Sequence, residues 1–207
     1  MNLKAILEVI GAVREYLFPY EKLQKKFNSV NNFTELKIFI KERSALVTQT
    51  TLYGYLKTRM GLKQHLMFTD DVFVESVNKS KWHIFSECVS DLTLYTLSYL
   101  KNFKGVNNLD PQEIYEEILD NEKNNGIPNQ LVIDYKKKFS VKVSEIDLKS
   151  YMDNDPFKAS GLSLYDWSPI ADELKILDKE IVLNSIKNKW NLVISDFKKL
   201  SANYSDT

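Results

Sequence analysis

The sequence predicts an all-α, single-domain bundle of about six to eight helices over residues 1–207, built around a central antiparallel helical hairpin, 44–61 and 69–103. Three observations carry that expectation. Ser44–Leu56 has no charged residue and Trp82–Leu100 has only Glu87 and Asp91, so two long stretches are apolar enough to be core. Apolar residues in both recur at three- and four-residue steps. Five prolines and six glycines in 207 residues are too few for collagen-like, linker-rich or propeller-like chains.

Leu3–Phe18 reads as an amphipathic helix through Leu3, Ile6, Leu7, Ile10, Val13 and Leu17, interrupted by Pro19. Tyr20–Phe27 follows as a short polar helix and Asn28–Asn32 as a turn. Thr34 is expected to cap a helix through Leu36, Ile38, Phe39 and Ile40, which continues or bends into Ser44–Gly61. In that stretch Ala45, Leu46, Leu52, Tyr53, Leu56 and Met60 lie within reach of one another, while Thr50, Gly54 and Thr58 form a small strip that lets another backbone come close. Val47, Thr48, Thr50, Thr51, Tyr53 and Tyr55 would also suit a strand. The length of the run argues against one, because strands are usually about 3–10 residues long.

Thr69 should cap the second hairpin helix, with Asp70 and Asp71 in its first turn, where negative charge suits the helix dipole. Phe73, Val77, Trp82, Phe85, Val89, Leu92, Tyr95 and Tyr99 mark its course to Phe103. Asp110 with Pro111 opens the next helix, and Asn124–Gly126 close it. A helix over Pro128–Phe139 leads to Ser140–Trp167, an irregular surface-wrapping connection with at most one short helix. Ser168-Pro169 signals a helix start, and Asp178 re-caps a final helix with an apolar stripe through Ile181, Ile186, Trp190, Ile194, Phe197 and Leu200. Residues 201–207 read as a frayed tail.

Charge cancels overall but is unevenly placed: residues 1–68 carry a net +6 and residues 69–207 a net −6, which predicts that the two parts pack together. Lysines are scattered, a pattern that does not point to nucleic acid. Cys88 is the lone cysteine, so no internal disulfide forms and a reducing compartment is expected. The most apolar run, Leu92–Leu100, is far short of the ~20 residues a membrane span needs, and Glu8 interrupts any export signal. A cytoplasmic protein is the expectation.

Two groups of side chains could carry chemistry. His83, Glu87 and Asp91 share a helix face at steps of four, beside Ser86, Cys88 and Ser90. His83 paired with Glu87 could activate Ser86 or Cys88 in a small hydrolase. Alternatively Glu87 and His83 form a surface pair while Asp91 caps or bonds a neighbouring helix. One helix gives an acyl group no oxyanion hole, and a metal site draws ligands from several elements, so no metal or cofactor is expected. The second group is Arg43, Gln49, Tyr53 and Arg59, with Lys57 and His65, whose donors suit a carboxylate or phosphate ligand. Asp91 or Asp70 could instead take those arginines internally. No G-x-S-x-G turn is present. With 11 Tyr, 11 Phe and 3 Trp, the residues favour a non-enzymatic interaction or accessory protein with a protein partner or self-association.

Several blocks resemble a family of uncharacterised bacterial proteins, some labelled esterases: Thr51–Gly61 (TLYGYLKTRMG) with Arg43-Ser44-Ala45, Met67–Lys81 around DDVFV, Cys88–Thr93 around SDLT, and Trp167–Trp190 beginning WSPIADELK. The resemblance spans about half of the chain. It implies an all-helical bacterial protein and an esterase label, with no mechanism attached.

Overall fold

The computed structural model describes residues 27–61 and 69–205; the helix expected over 3–18, all but the last residue of the one expected over 20–27, and His65 lie outside these. The described chain is helical: α1 (Phe33–Met60), α2 (Asp71–Lys104), α3 (Pro111–Glu122), α4 (Asn129–Glu145), α5 (Lys158–Trp167) and α6 (Asp172–Leu200). Short 3-10 turns follow α3 and precede α5. No strand occurs among the described residues, so Ser44–Gly61 is settled as helix.

α1 runs unbroken from the Leu36 region through the charge-free stretch. Its N-cap is Asn32, whose Oδ1 accepts from the Glu35 N–H at 2.9 Å, and not Thr34. Gly61 ends it at φ 55, a left-handed conformation that costs glycine little, with its N–H bonded to the Lys57 carbonyl. α2 is capped by Asp70, which accepts from Val72 and Phe73 at 3.0 and 3.2 Å, and not by the adjacent Thr69.

α1 and α2 form the expected antiparallel hairpin, but the centre of the molecule is α2. From Ser80 to Ser98 only His83 is less than buried, and Ile84, Phe85, Leu92 and Leu94 face different neighbours with no exposure at all. A helix buried all round must find partners for its polar side chains inside the protein. Ser86 donates to the Trp82 carbonyl at 2.9 Å and Thr96 to the Thr93 carbonyl at 3.0 Å, each within its own turn. α1 covers one side only: Leu52 and Leu56 are buried, whereas Thr50, Gly54 and Thr58 stand at the surface, and a Cβ on Gly54 would meet nothing within 4 Å.

Elsewhere the boundaries shift. Asp110 caps α3 with Pro111 in its first turn, and Gly126 (φ 95) closes the following 3-10 turn, as the spacing predicts. α4 extends to Glu145, six residues past Phe139, so the irregular connection shrinks to 146–157 and is followed by α5. Ser168 ends α5, donating to the Leu164 carbonyl at 2.6 Å, and does not start α6. Asp178 lies inside one continuous α6, where it holds Arg59 and caps nothing.

The tail is tied down as far as it is described. Ser205 N–H donates to Asn31 O at 3.2 Å, Val30 N–H to Leu200 O at 2.9 Å, and Tyr204 is buried. The opposite net charges of the two parts also meet. Lys37–Glu117, Lys41–Glu122, Arg43–Asp196 and Arg59–Asp178 all join α1 to α3 or α6.

Candidate functional site

The face of α2 carrying His83, Glu87 and Asp91 is covered by a matching stripe on α4. His83 Nδ1 lies 3.0 Å from the Tyr135 hydroxyl, Lys138 pairs with Glu87, and Lys142 Nζ lies 2.8 Å from Asp91 Oδ1 and 3.0 Å from Ser90 Oγ. The pairs rise together in both helices, so α2 and α4 run in the same direction here. Glu87 and Asp91 are buried, and each carboxylate has an ammonium partner from α4.

Asp91 does more than hold Lys142. α5 begins without a side-chain cap of its own, and Asp91 Oδ2 accepts the Ser160 N–H at 2.8 Å, in the first turn of α5. A carboxylate from another helix thus meets an otherwise unpaired amide and the positive end of the α5 dipole. The Tyr151 hydroxyl, 3.1 Å from Asp91 Oδ1 and 2.8 Å from the Pro156 carbonyl, ties in the 3-10 turn. Of the two readings of Asp91, the one in which it bonds a neighbouring helix describes what it does here. The pairing of His83 with Glu87 is replaced by Tyr135 and Lys138, both on α4.

His83 stacks on Trp167 with ring centroids 3.4 Å apart and planes at 4°. Burial, then the nearby Lys79 and Lys138 ammonium groups, lower its pKa from 6.5 to about 4, so the imidazole is neutral at pH 7. Below pH 6.5 the unfolded chain takes up a proton that the folded chain refuses, so this group's contribution is present above 6.5 and is lost as pH falls toward 4. Discounted for screening at a half-buried ring, the loss is roughly 1 kcal/mol, or about 2–4 °C in Tm. Between pH 7 and 4.5, Tm of the natural chain should fall further than that of His83→Gln. Equal slopes would show that His83 is not held neutral.

Ser86 and Cys88 do not join His83. The Ser86 hydroxyl is engaged with its own helix, and Cys88 is fully buried against Thr48 of α1, where burial pushes its thiol far above the ordinary range. Among the described residues no group of three or more His, Cys, Asp or Glu side chains is placed to hold a metal.

Arg43 and Arg59 both find carboxylates on α6, and neither Asp70 nor Asp91 is their partner. Arg59 grips Asp178 through Nε and Nη2, and Tyr55 donates to the same carboxylate at 2.8 Å. The Arg59 guanidinium holds the Asp178 carboxyl below its usual pKa, and the hydrogen bond raises that of Arg59 in turn. Arg43 is 4.0 Å from Asp196 and lies over the Phe27 ring at 4.9 Å. Gln49 and Tyr53 are half-buried on α1; burial pushes the Tyr53 phenol up.

These two pairs mark the ends of a groove between α1 and α6. A cleft of about 300 Å³ opens beside Gly54, Thr58, Arg59, Ile181 and Ser185, and one of about 190 Å³ beside Arg43, Leu46, Thr50 and Leu192. Both clefts take in the small strip of α1. Along the same side of α6 Leu177 is 74%, Ile181 68% and Leu192 64% exposed. Five of the eleven exposed large apolar side chains among the described residues lie on α6.

Sequence reasoning missed Tyr135, Lys138, Lys142 and Asp196, and gave Asp178 a capping role in place of its pairing with Arg59. The signal for the first three was present: a polar stripe at three- and four-residue steps on α4 matches the steps of four on α2. Among the described residues no helix is long and apolar enough to cross a membrane. Comparisons with protein-family models, with curated proteins and with solved structures return no match, so the family resemblance rests on its residue blocks alone.

Proposed function

We propose that the protein is a non-enzymatic interaction or accessory protein whose contact face is the exposed side of α6 with the adjoining edge of α1. The observation that carries this reading is the concentration of exposed apolar side chains on one helix, next to an α1 edge built of Thr50, Gly54 and Thr58. Scattered exposed apolar residues need no explanation, but Leu174, Leu177 and Ile181 stand at three- and four-residue steps on one side of α6, with Leu192 farther along the same side, and such a cluster on a long helix marks a protein contact. The ionisable side chains of α2, which a hydrolase would use, are engaged with α4 and α5 and give an esterase no support.

Leu177→Glu on the full chain tests the reading. It should leave Tm within about 1 °C, since the side chain is exposed, while abolishing association with protein, whether with another copy or with a partner retained from cell extract. A natural chain that runs as a lone monomer and retains nothing overturns the proposal, as does an unchanged association in the variant.

A further inference from the structure

Two features of the α6 face select its occupant: its two ends are opposite in net charge, and its exposed side chains at four positions match when the helix is read backwards. Residues 172–181 hold Asp172, Glu173, Asp178 and Glu180 against Lys175 and Lys179, while residues 187–200 hold Lys187, Lys189, Lys198 and Lys199 against Asp196. One end of the helix is acidic and the other basic. On the exposed stripe, large side chains at Leu174 and Ile181 are mirrored about residue 183, three residues before the helix midpoint, by Leu192 and the small Ser185.

Resting on the interaction reading above, we infer that this face takes a second copy of the chain, with the two α6 helices antiparallel across a two-fold axis near residue 183. In that register Ile181 of each copy lies over Ser185 of the other and enters the cleft beside Gly54, where the surface has open space. Leu174 lies against Leu192, which with Leu46 and Thr50 lines the second cleft. Glu180 of each copy meets Lys187 of the other, so the ion pair forms twice. A two-fold axis makes the same patch serve both copies and closes the assembly at two. The stripe from Leu174 to Leu192 is about 27 Å long and roughly two helix diameters wide with the α1 edge, a footprint of roughly 500 Å² per copy at the low end of specific interfaces. Micromolar self-association follows.

Sedimentation equilibrium on the full chain up to ~100 µM reads the result, with the range set by the expected micromolar affinity. The natural chain should form a dimer that Ile181→Glu weakens by roughly 30-fold or more. Glu180→Lys alone and Lys187→Glu alone should each weaken it by roughly tenfold, because each places like charges together twice. The double variant Glu180→Lys/Lys187→Glu should restore it; these residues stand seven apart on one helix, so restoration requires contact between copies. A natural chain that stays monomeric, a dimer indifferent to Ile181→Glu, or a double variant as weak as the singles overturns the antiparallel α6 pairing. If the chain is monomeric yet Leu177→Glu still abolishes capture of a different protein, only the self-pairing falls and the interaction reading stands. If capture is also unaffected, both fall.

Discussion

Asp91→Ala is expected to destabilise the protein by about 3–5 kcal/mol, lowering Tm by about 10 °C or more. The substitution removes an acceptor for three donors at once: the Lys142 ammonium, the Tyr151 hydroxyl and the Ser160 N–H. Lys142 is partly exposed and can turn to water, but the Ser160 N–H is buried and has no way out. The loss therefore belongs mainly to the start of α5. Asp91→Asn keeps an oxygen for that amide while losing the charge opposite Lys142, so it should cost less than Asp91→Ala. Hydrogen exchange distinguishes this capping role from a general loss of packing: in Asp91→Asn, amides at the start of α5 should lose protection before those in the middle of α2. A loss below about 1 kcal/mol for Asp91→Ala would remove the carboxylate from its role as the α5 cap.

How much of this was legible in the sequence depends on distance along the chain. α2 could be read because Trp82–Leu100 has only two charges, and both proved to be buried carboxylates with partners. The caps at Asn32 and Asp70 were missed by one or two residues because Thr34 and Thr69 carry the same chemistry. What decides between them is which side-chain oxygen reaches an amide two or three residues on, a matter of backbone angle. Lys142 lies past Phe139, where the helical pattern stops in the sequence: the last turns of α4 carry Ser140, Val141 and Val143, which weaken a pattern that packing on α2 and α3 sustains. The partners of Arg59 and Arg43 were out of reach altogether. Arg59 finds Asp178 119 residues away, and nothing local distinguishes that aspartate from one starting a helix. The small strip on α1 was visible, but small residues state only that something comes close. The structure puts the strip on the surface beside α6, not in the hairpin.

Trp190→Ala should produce the second large effect, about 3–5 kcal/mol. Trp190 is 1% exposed, its ring stacks on Phe157 with centroids 4.4 Å apart, and its Nε1–H donates to Ser160 Oγ at 3.0 Å. It thereby joins α6 to the same first turn of α5 that Asp91 caps from α2. Three helices meet at Ser160, its N–H serving one and its hydroxyl another. That geometry makes the two sites interdependent. Once the start of α5 has loosened, the Trp190 indole loses a fixed acceptor, and once the indole is gone Ser160 has less reason to stay in place. Because two alanine substitutions together could exceed the ordinary total stability of a domain, the coupling is better read from the milder pair Asp91→Asn and Trp190→Phe. Their combined loss in chemical denaturation should fall short of the sum by about 0.5–3 kcal/mol, and simple additivity would mean that Ser160 does not link the two helices.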